Sequence, residues 1–283
     1  MLKYKKICDI LFYILKFSYL KRHFGRYFMR IVVKIGTSSL THENGSVNLR
    51  RIEALCRIVS DIMNMGNEVI LVSSGAIGMG VGKLRLSSRP SDIAAKQACA
   101  AVGQCELMYT YDKLFTEYNH VVAQILLTAP DLSCDDRRGK FEATVERLLE
   151  FGVLPIINEN DTVATEEIVF GDNDTLAAKV AVTVGADLLV LLSDIDGLYT
   201  ADPHKCPDAK LIGAVYELDE KIMSLAGEAG TSRGTGGMET KLRAAKIATD
   251  AGCDMIISNG ERPELLYDAV EGKDVGTRFF SKK

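Results

Sequence analysis

Solid apolar runs, each broken off by a small or polar corner, constrain this chain more than any other feature. Arg30-Ile31-Val32-Val33-Lys34-Ile35 breaks at Gly36-Thr37-Ser38-Ser39, and the run 68–72 ends in the glycine-rich stretch 73–82. Pro155-Ile156-Ile157 stops at Asn158-Glu159-Asn160-Asp161, and 187–192 stops at Ser193-Asp194. A strand with one wet face alternates apolar and polar residues. A strand apolar throughout belongs to a sheet covered on both sides, as parallel sheets are. Helical spacing fills the gaps: Ile52, Leu55, Val59, Ile62 and Met63 after the cap Asn48, then 94–118, 141–151, and a helix opened by Gly171-Asp172-Asn173-Asp174-Thr175. Residues 120–127, 254–258 and 277–280 read as further strands; a helix starting at Gly234 to Gly237 reaches about Ala251, and another covers 263–270. This alternation predicts a three-layer α/β/α sandwich around a mainly parallel sheet, one half binding one ligand and the other half a second.

The corners carry the chemistry. Strand ends in open α/β sheets are where ligands bind, and glycine there lets bare N–H groups approach an anion. The densest corner is 155–176, where Asn158, Glu159, Asn160, Asp161, Asp172, Asn173 and Asp174 crowd one strand end and one helix start, with 162–170 between them patterned like a hairpin. Two lysines stand out. Lys34 interrupts an apolar strand, where an unpaired charge is costly, unless the strand is an edge or the lysine snorkels to water. Lys241 lies in the first turns of a helix, against its dipole, unless it is simply solvated. Both make sense facing a polyanion, with an aspartate such as Asp174 holding them by charge-assisted hydrogen bonds. Phosphoryl transfer asks for such placed cations and little else.

Other classes fit less well. Gly78-x-Gly80-x-Gly82 is not the dinucleotide fingerprint, and no P-loop pattern occurs. Seven scattered cysteines without a Cys-x-x-Cys pair, and four dispersed histidines, predict neither a disulfide framework nor a side-chain metal site, and point to a reducing, cytoplasmic home. A metal, if one acts, arrives with the substrate. A net charge of −4 gives no reason to expect nucleic acid or an anionic membrane as partner. Residues 1–28 differ in character, basic with interleaved apolar and aromatic side chains, and their apolar run falls short of the about 20 residues a span needs. The expectation is an N-terminal extension over 1–28 and a functional domain over 29–283 that begins at Met29.

Taken together, Val32-Val33-Lys34-Ile35-Gly36-Thr37-Ser38, Ser73-Ser74-Gly75-Ala76, Ile157-Asn158-Glu159-Asn160-Asp161, Gly171-Asp172-Asn173-Asp174, Gly197-Leu198-Tyr199-Thr200-Ala201-Asp202-Pro203 and Gly234-Thr235-Gly236-Gly237-Met238-x-Thr240-Lys241 resemble the amino acid kinase family, and within it the branch that phosphorylates free L-glutamate. The resemblance covers about 29–281, in matching order. It implies transfer of phosphate from ATP, with magnesium carried by the nucleotide, to the side-chain carboxylate of L-glutamate; the product is L-glutamate 5-phosphate, the first step of proline biosynthesis. It further implies that Lys34 and Lys241 act on the transferring group and Asp174 organises them. Ser74, Asp161 and Asn173 would contact glutamate; Lys34, Gly36, Ser193, Asp194, Thr235, Gly236, Gly237, Met238, Glu239, Thr240 and Lys241 would hold ATP. Proline as feedback inhibitor and homo-oligomers are family traits. Many members carry a C-terminal RNA-binding-like PUA domain; this sequence, ending at Phe279-Phe280-Ser281-Lys282-Lys283, reads as a short form without it. The competing readings are an N-acetylglutamate or aspartate kinase, or a non-catalytic metabolite sensor on the same fold. The strand-one motif and the paired Asn/Asp runs favour glutamate, and a sensor would be expected to have lost a lysine or Asp174.

Overall fold

The computed structural model describes residues 28–42, 46–164, 173–203, 205–228 and 237–282. Eight strands form one sheet: β1 (Arg30–Ile35), β2 (Glu68–Ser73), β3 (Val122–Leu127), β4 (Leu154–Glu159), β5 (Leu188–Ser193), β6 (Ala214–Val215), β7 (Asp254–Asn259) and β8 (Thr277–Phe279). Their spatial order is β3-β4-β2-β1-β5-β7-β8-β6. Every pairing is parallel except β7 with β8. Ten helices are described: α1 (Thr37–Leu40), α2 (Leu49–Asn64), α3 (Ala76–Lys83), α4 (Ile93–Thr116), α5 (Ala129–Ser133), α6 (Asp135–Glu150), α7 (Asn173–Thr183), α8 (Glu220–Glu228), α9 (Met238–Asp250) and α10 (Leu265–Val270). Among the described residues no helix is long and apolar enough to cross a membrane.

Period-two alternation of the strands splits the core into two layers. Ile31, Val33 and Ile35 of β1 face a cluster built with α2, α4 and α10. Val32 faces the opposite cluster, built with α7 and α9. Lys34 shares the parity of Val32, so the same rule sends it toward α7 and α9. The registers put the strand ends level: Ile35 lies beside Ser73 on one side and Leu192 on the other, and Ser193 beside Asn259. The polar corners after β1, β2, β4 and β5 therefore line one edge of the sheet.

Several local expectations are corrected. The glycine-rich stretch after β2, which carried no element expectation, is mostly helical: Gly75 takes φ 94°, and α3 begins immediately after it. Gly80 in this stretch and Gly103 of α4 serve close packing. A Cβ on Gly80 would lie 1.9 Å from the Cys99 carbonyl oxygen, and one on Gly103 1.8 Å from that of Ala76. Gly103→Ala is expected to push α3 off α4 and lower stability by about 2–3 kcal/mol, read as a lower urea midpoint at unchanged slope. Helix α6 starts six residues earlier than its apolar spacing suggests. Its first turns carry Asp135–Arg138 and Asp136–Lys140 ion pairs, which support a helix without any apolar signal. The short β6 and α8 had no sequence expectation. Most of the expected hairpin at 162–170, and the extension up to residue 27, lie outside the described residues.

Candidate functional site

The two lysines meet at one carboxylate. Lys34 is in the middle of the sheet, between β2 and β5, which rules out the edge-strand explanation. Its Nζ lies 2.8 Å from Asp174 Oδ1. Lys241 Nζ donates to Asp174 Oδ2 at 3.0 Å. Lys241 is only 4% exposed, so it is not a solvated helix lysine. The Thr240 hydroxyl lies 3.0 Å from the same Oδ2 and 2.8 Å from the Gly237 carbonyl oxygen. Burial alone would raise the Asp174 pKa, but the lysines on either side outweigh it and hold the carboxyl down at about 2. Asp174 is thus an ionised, twice-paired anchor at the first turn of α7. That turn is the favourable end of a helix for an acid.

The preceding residue, Asn173, turns to a second polar set. Its Nδ2 donates to the Ser73 carbonyl at 3.1 Å, to Ser74 Oγ at 2.8 Å and to Asn158 Oδ1 at 3.2 Å. Asn158, fully buried at the end of β4, accepts from the Glu159 N–H at 2.9 Å and donates from Nδ2 to Gln104 Oε1 at 2.9 Å. Adjacent residues of one helix start thereby join the ends of β2 and β4 to the lysine cluster on β1 and α9. Asp161 sits half-buried in the turn after β4.

On the other side of β1, the Gly36 N–H donates to the Leu192 carbonyl at 3.3 Å, closing the β1 corner against β5. A Cβ on Gly36 would come within 3.8 Å of Lys34 Nζ. Ser193 Oγ donates to Asp194 Oδ1 at 3.0 Å. Gly237 caps α9, Met238 turns its side chain into the core, and exposed Glu239 pairs with Arg243. Thr235 and Gly236 lie outside the described residues.

Lys34, Asp174, Thr240 and Lys241 are therefore brought together, as are Ser74 and Asn173. Three participants had not been singled out as site residues: Asn158, Ser73 and Gln104. Asn158 stood within the dense polar corner. Gln104 left only a faint trace, a polar residue on the helix face of Ala100, Leu107 and Tyr111.

Chemically, the corner offers one buried and one partly buried ammonium group on a fixed carboxylate beside amide and hydroxyl groups suited to a small polar ligand. Comparison with known proteins agrees. The model of the amino acid kinase family matches residues 29–259. Glutamate 5-kinase of Clostridium perfringens is 57% identical over 258 residues, 90% of this chain and 96% of that protein. Glutamate 5-kinase of Carboxydothermus hydrogenoformans is 55% identical over 90% of this chain and 68% of its own length. Carbamate kinase from Giardia lamblia, solved bound to AMP-PNP, shares the fold at a TM-score of 0.63 and 15% identity, over 90% of this chain and 99% of its own.

Proposed function

The chain belongs to the amino acid kinase family, and from that premise we infer that it transfers the γ-phosphoryl group of ATP to the side-chain carboxylate of L-glutamate, giving L-glutamate 5-phosphate, the opening step of proline biosynthesis. One observation carries the reading of the site. Asn173 and Asp174, neighbours at the start of α7, tie an amide-and-hydroxyl corner to two lysines, Lys241 buried and Lys34 partly buried. An amino acid held in the first would present its carboxylate to a phosphate held by the second.

On this reading a glutamate carboxylate oxygen attacks the γ-phosphorus while the bond to the bridging oxygen breaks and ADP leaves. No general base is needed, because the attacking carboxylate is already ionised at neutral pH. Lys34 and Lys241 stabilise the oxygens where charge gathers. Asp174 is not a base here. With its pKa near 2 and a lysine on each oxygen, it has no use for another proton. Its work is to keep both ammonium groups aimed. Ser74, Asn173 and Asp161 are assigned to glutamate, and Gly36, Ser193, Asp194 and 235–241 to the nucleotide. The pair of ammonium groups suits a triphosphate, and magnesium carried on that nucleotide would neutralise phosphate charge. We assign the kinase to 29–283, the cytosol as its compartment, a homo-oligomer as its working form, and proline as a competitor at the glutamate corner. The six described cysteines, all free thiols, agree with that compartment.

The test uses ATP and magnesium with L-glutamate, N-acetyl-L-glutamate or L-aspartate, trapping the acyl phosphate with hydroxylamine. Hydroxamate with free glutamate alone is expected. A preference for either other substrate would keep the lysine cluster and overturn the amino-acid assignments.

A further inference from the structure

We propose that Gln104, in the middle of α4, is a positioning residue for the amino-acid corner. It holds the Asn158 amide, and through it that of Asn173, in a single orientation. The orientation propagates from backbone groups, which cannot flip. The Glu159 N–H is a donor only, so the Asn158 atom that meets it at 2.9 Å is the oxygen. That leaves Asn158 Nδ2 turned toward α4, where it requires an acceptor, and Gln104 Oε1 supplies one at 2.9 Å. At the other end the Ser73 carbonyl can only accept, so Asn173 must face it with Nδ2. Asn173 thus spends its donor group on protein atoms, and Oδ1 is the part it can offer to a hydrogen-bond donor on an amino acid.

Two further observations point to Gln104 itself. Its side chain is buried at 8% exposure, yet its Nε2 has no hydrogen-bond partner among the described residues. A buried donor left unsatisfied is costly, and an apolar side chain of similar size would avoid that cost. What the glutamine provides in return is its oxygen. Tyr111 lies seven residues on, hence on the same face of α4, and its hydroxyl is 3.0 Å from Ser73 Oγ. One helix face therefore braces the ends of both β4 and β2 from behind the corner.

The inference rests on the reading of Asn173 as a glutamate contact, and the experiment separates the two. Gln104→Met, which removes the acceptor at similar volume, is expected to raise the glutamate KM about 5- to 20-fold, the worth of one buried hydrogen bond. Both kcat and the ATP KM should stay within about twofold, because the lysine cluster is not involved. Gln104→Glu keeps an oxygen toward Asn158 and should bring the glutamate KM back to within about threefold of the parent. A well-folded Gln104→Met with an unchanged glutamate KM overturns the proposal. So does an equal rise in both KM values, which would mean general damage to the fold, and so does a Gln104→Glu that folds yet binds glutamate no better than Gln104→Met. Asn173→Ala is measured alongside. If it leaves the glutamate KM unaltered, the reading of the corner falls and this inference with it. If it raises KM while Gln104→Met does not, the positioning role alone is lost.

Discussion

Lys241→Ala should cut kcat by about 10³-fold and leave the glutamate KM within about threefold of its original value. The asymmetry follows from where the side chain ends. Lys241 Nζ is on Asp174 Oδ2, while the groups assigned to glutamate hang from Asn173 and the ends of β2 and β4. Negative charge on the phosphoryl oxygens is redistributed in the transition state, and a cation already in place costs nothing to reorganise at that moment. A loss of that size corresponds to about 4 kcal/mol of transition-state stabilisation. The fold should tolerate the change, because Asp174 keeps Lys34 at 2.8 Å and the Thr240 hydroxyl at 3.0 Å. Steady-state kinetics on a protein with a verified melting transition would check it. A raised glutamate KM at unchanged kcat would take Lys241 out of the phosphoryl-transfer role altogether.

Lys34 and Lys241 were unequally legible in the sequence, and the reason is physical. A charge inside an apolar run is an anomaly at any reading distance, and period-two parity then places Lys34 on the same face as Val32. Lys241, by contrast, resembles any lysine of an amphipathic helix until α9 is packed against the sheet. Its burial is a property of the assembled layers, not of the helix. The central strands were legible for the reason Lys34 was. β1, β2, β4, β5 and β7 are apolar on both faces, and only a covered sheet accepts that. Short elements were not. β6 has two residues and too little pattern to show, and the first turns of α6 are held by ion pairs that an apolar period does not register. The packing role of two glycines was not legible. Gly80 read only as part of the corner after the second strand and Gly103 only as a helix residue, whereas both let α3 and α4 approach closely beside the Ser74 corner. Gln104 was hidden for a related reason, since a lone polar residue on a mixed helix does not reveal whether it faces water or an asparagine.

Asp174→Asn carries the other large effect, and it should appear in stability as well as in turnover. The substitution preserves shape and places an amide where two ammonium groups now meet a carboxylate, at 2.8 and 3.0 Å. Removing one partner from a buried ion pair leaves uncompensated charge and costs about 3–5 kcal/mol. Turnover should fall by about 10²-fold or more, because both lysines lose the group that aims them and near-attack geometry is lost with them. A variant as active as the parent would remove the organising role. The pH dependence separates this carboxylate from the rest. Its pKa is lowered by folding, to about 2 from an unfolded value of about 3.9. A depressed carboxylate stabilises the fold fully above its unfolded pKa and loses that contribution as pH falls through the folded one. The parent's advantage over Asp174→Asn should therefore hold from neutral pH down to about 4 and shrink between about 4 and 2, as Asp174 takes up a proton. Other carboxylates titrate there too, so the informative quantity is the difference between the two proteins' unfolding free energies rather than either curve. A gap that stayed constant down to pH 2 would mean that the ionised form of Asp174 is not what the folded chain favours, and the lysines would then need another anchor.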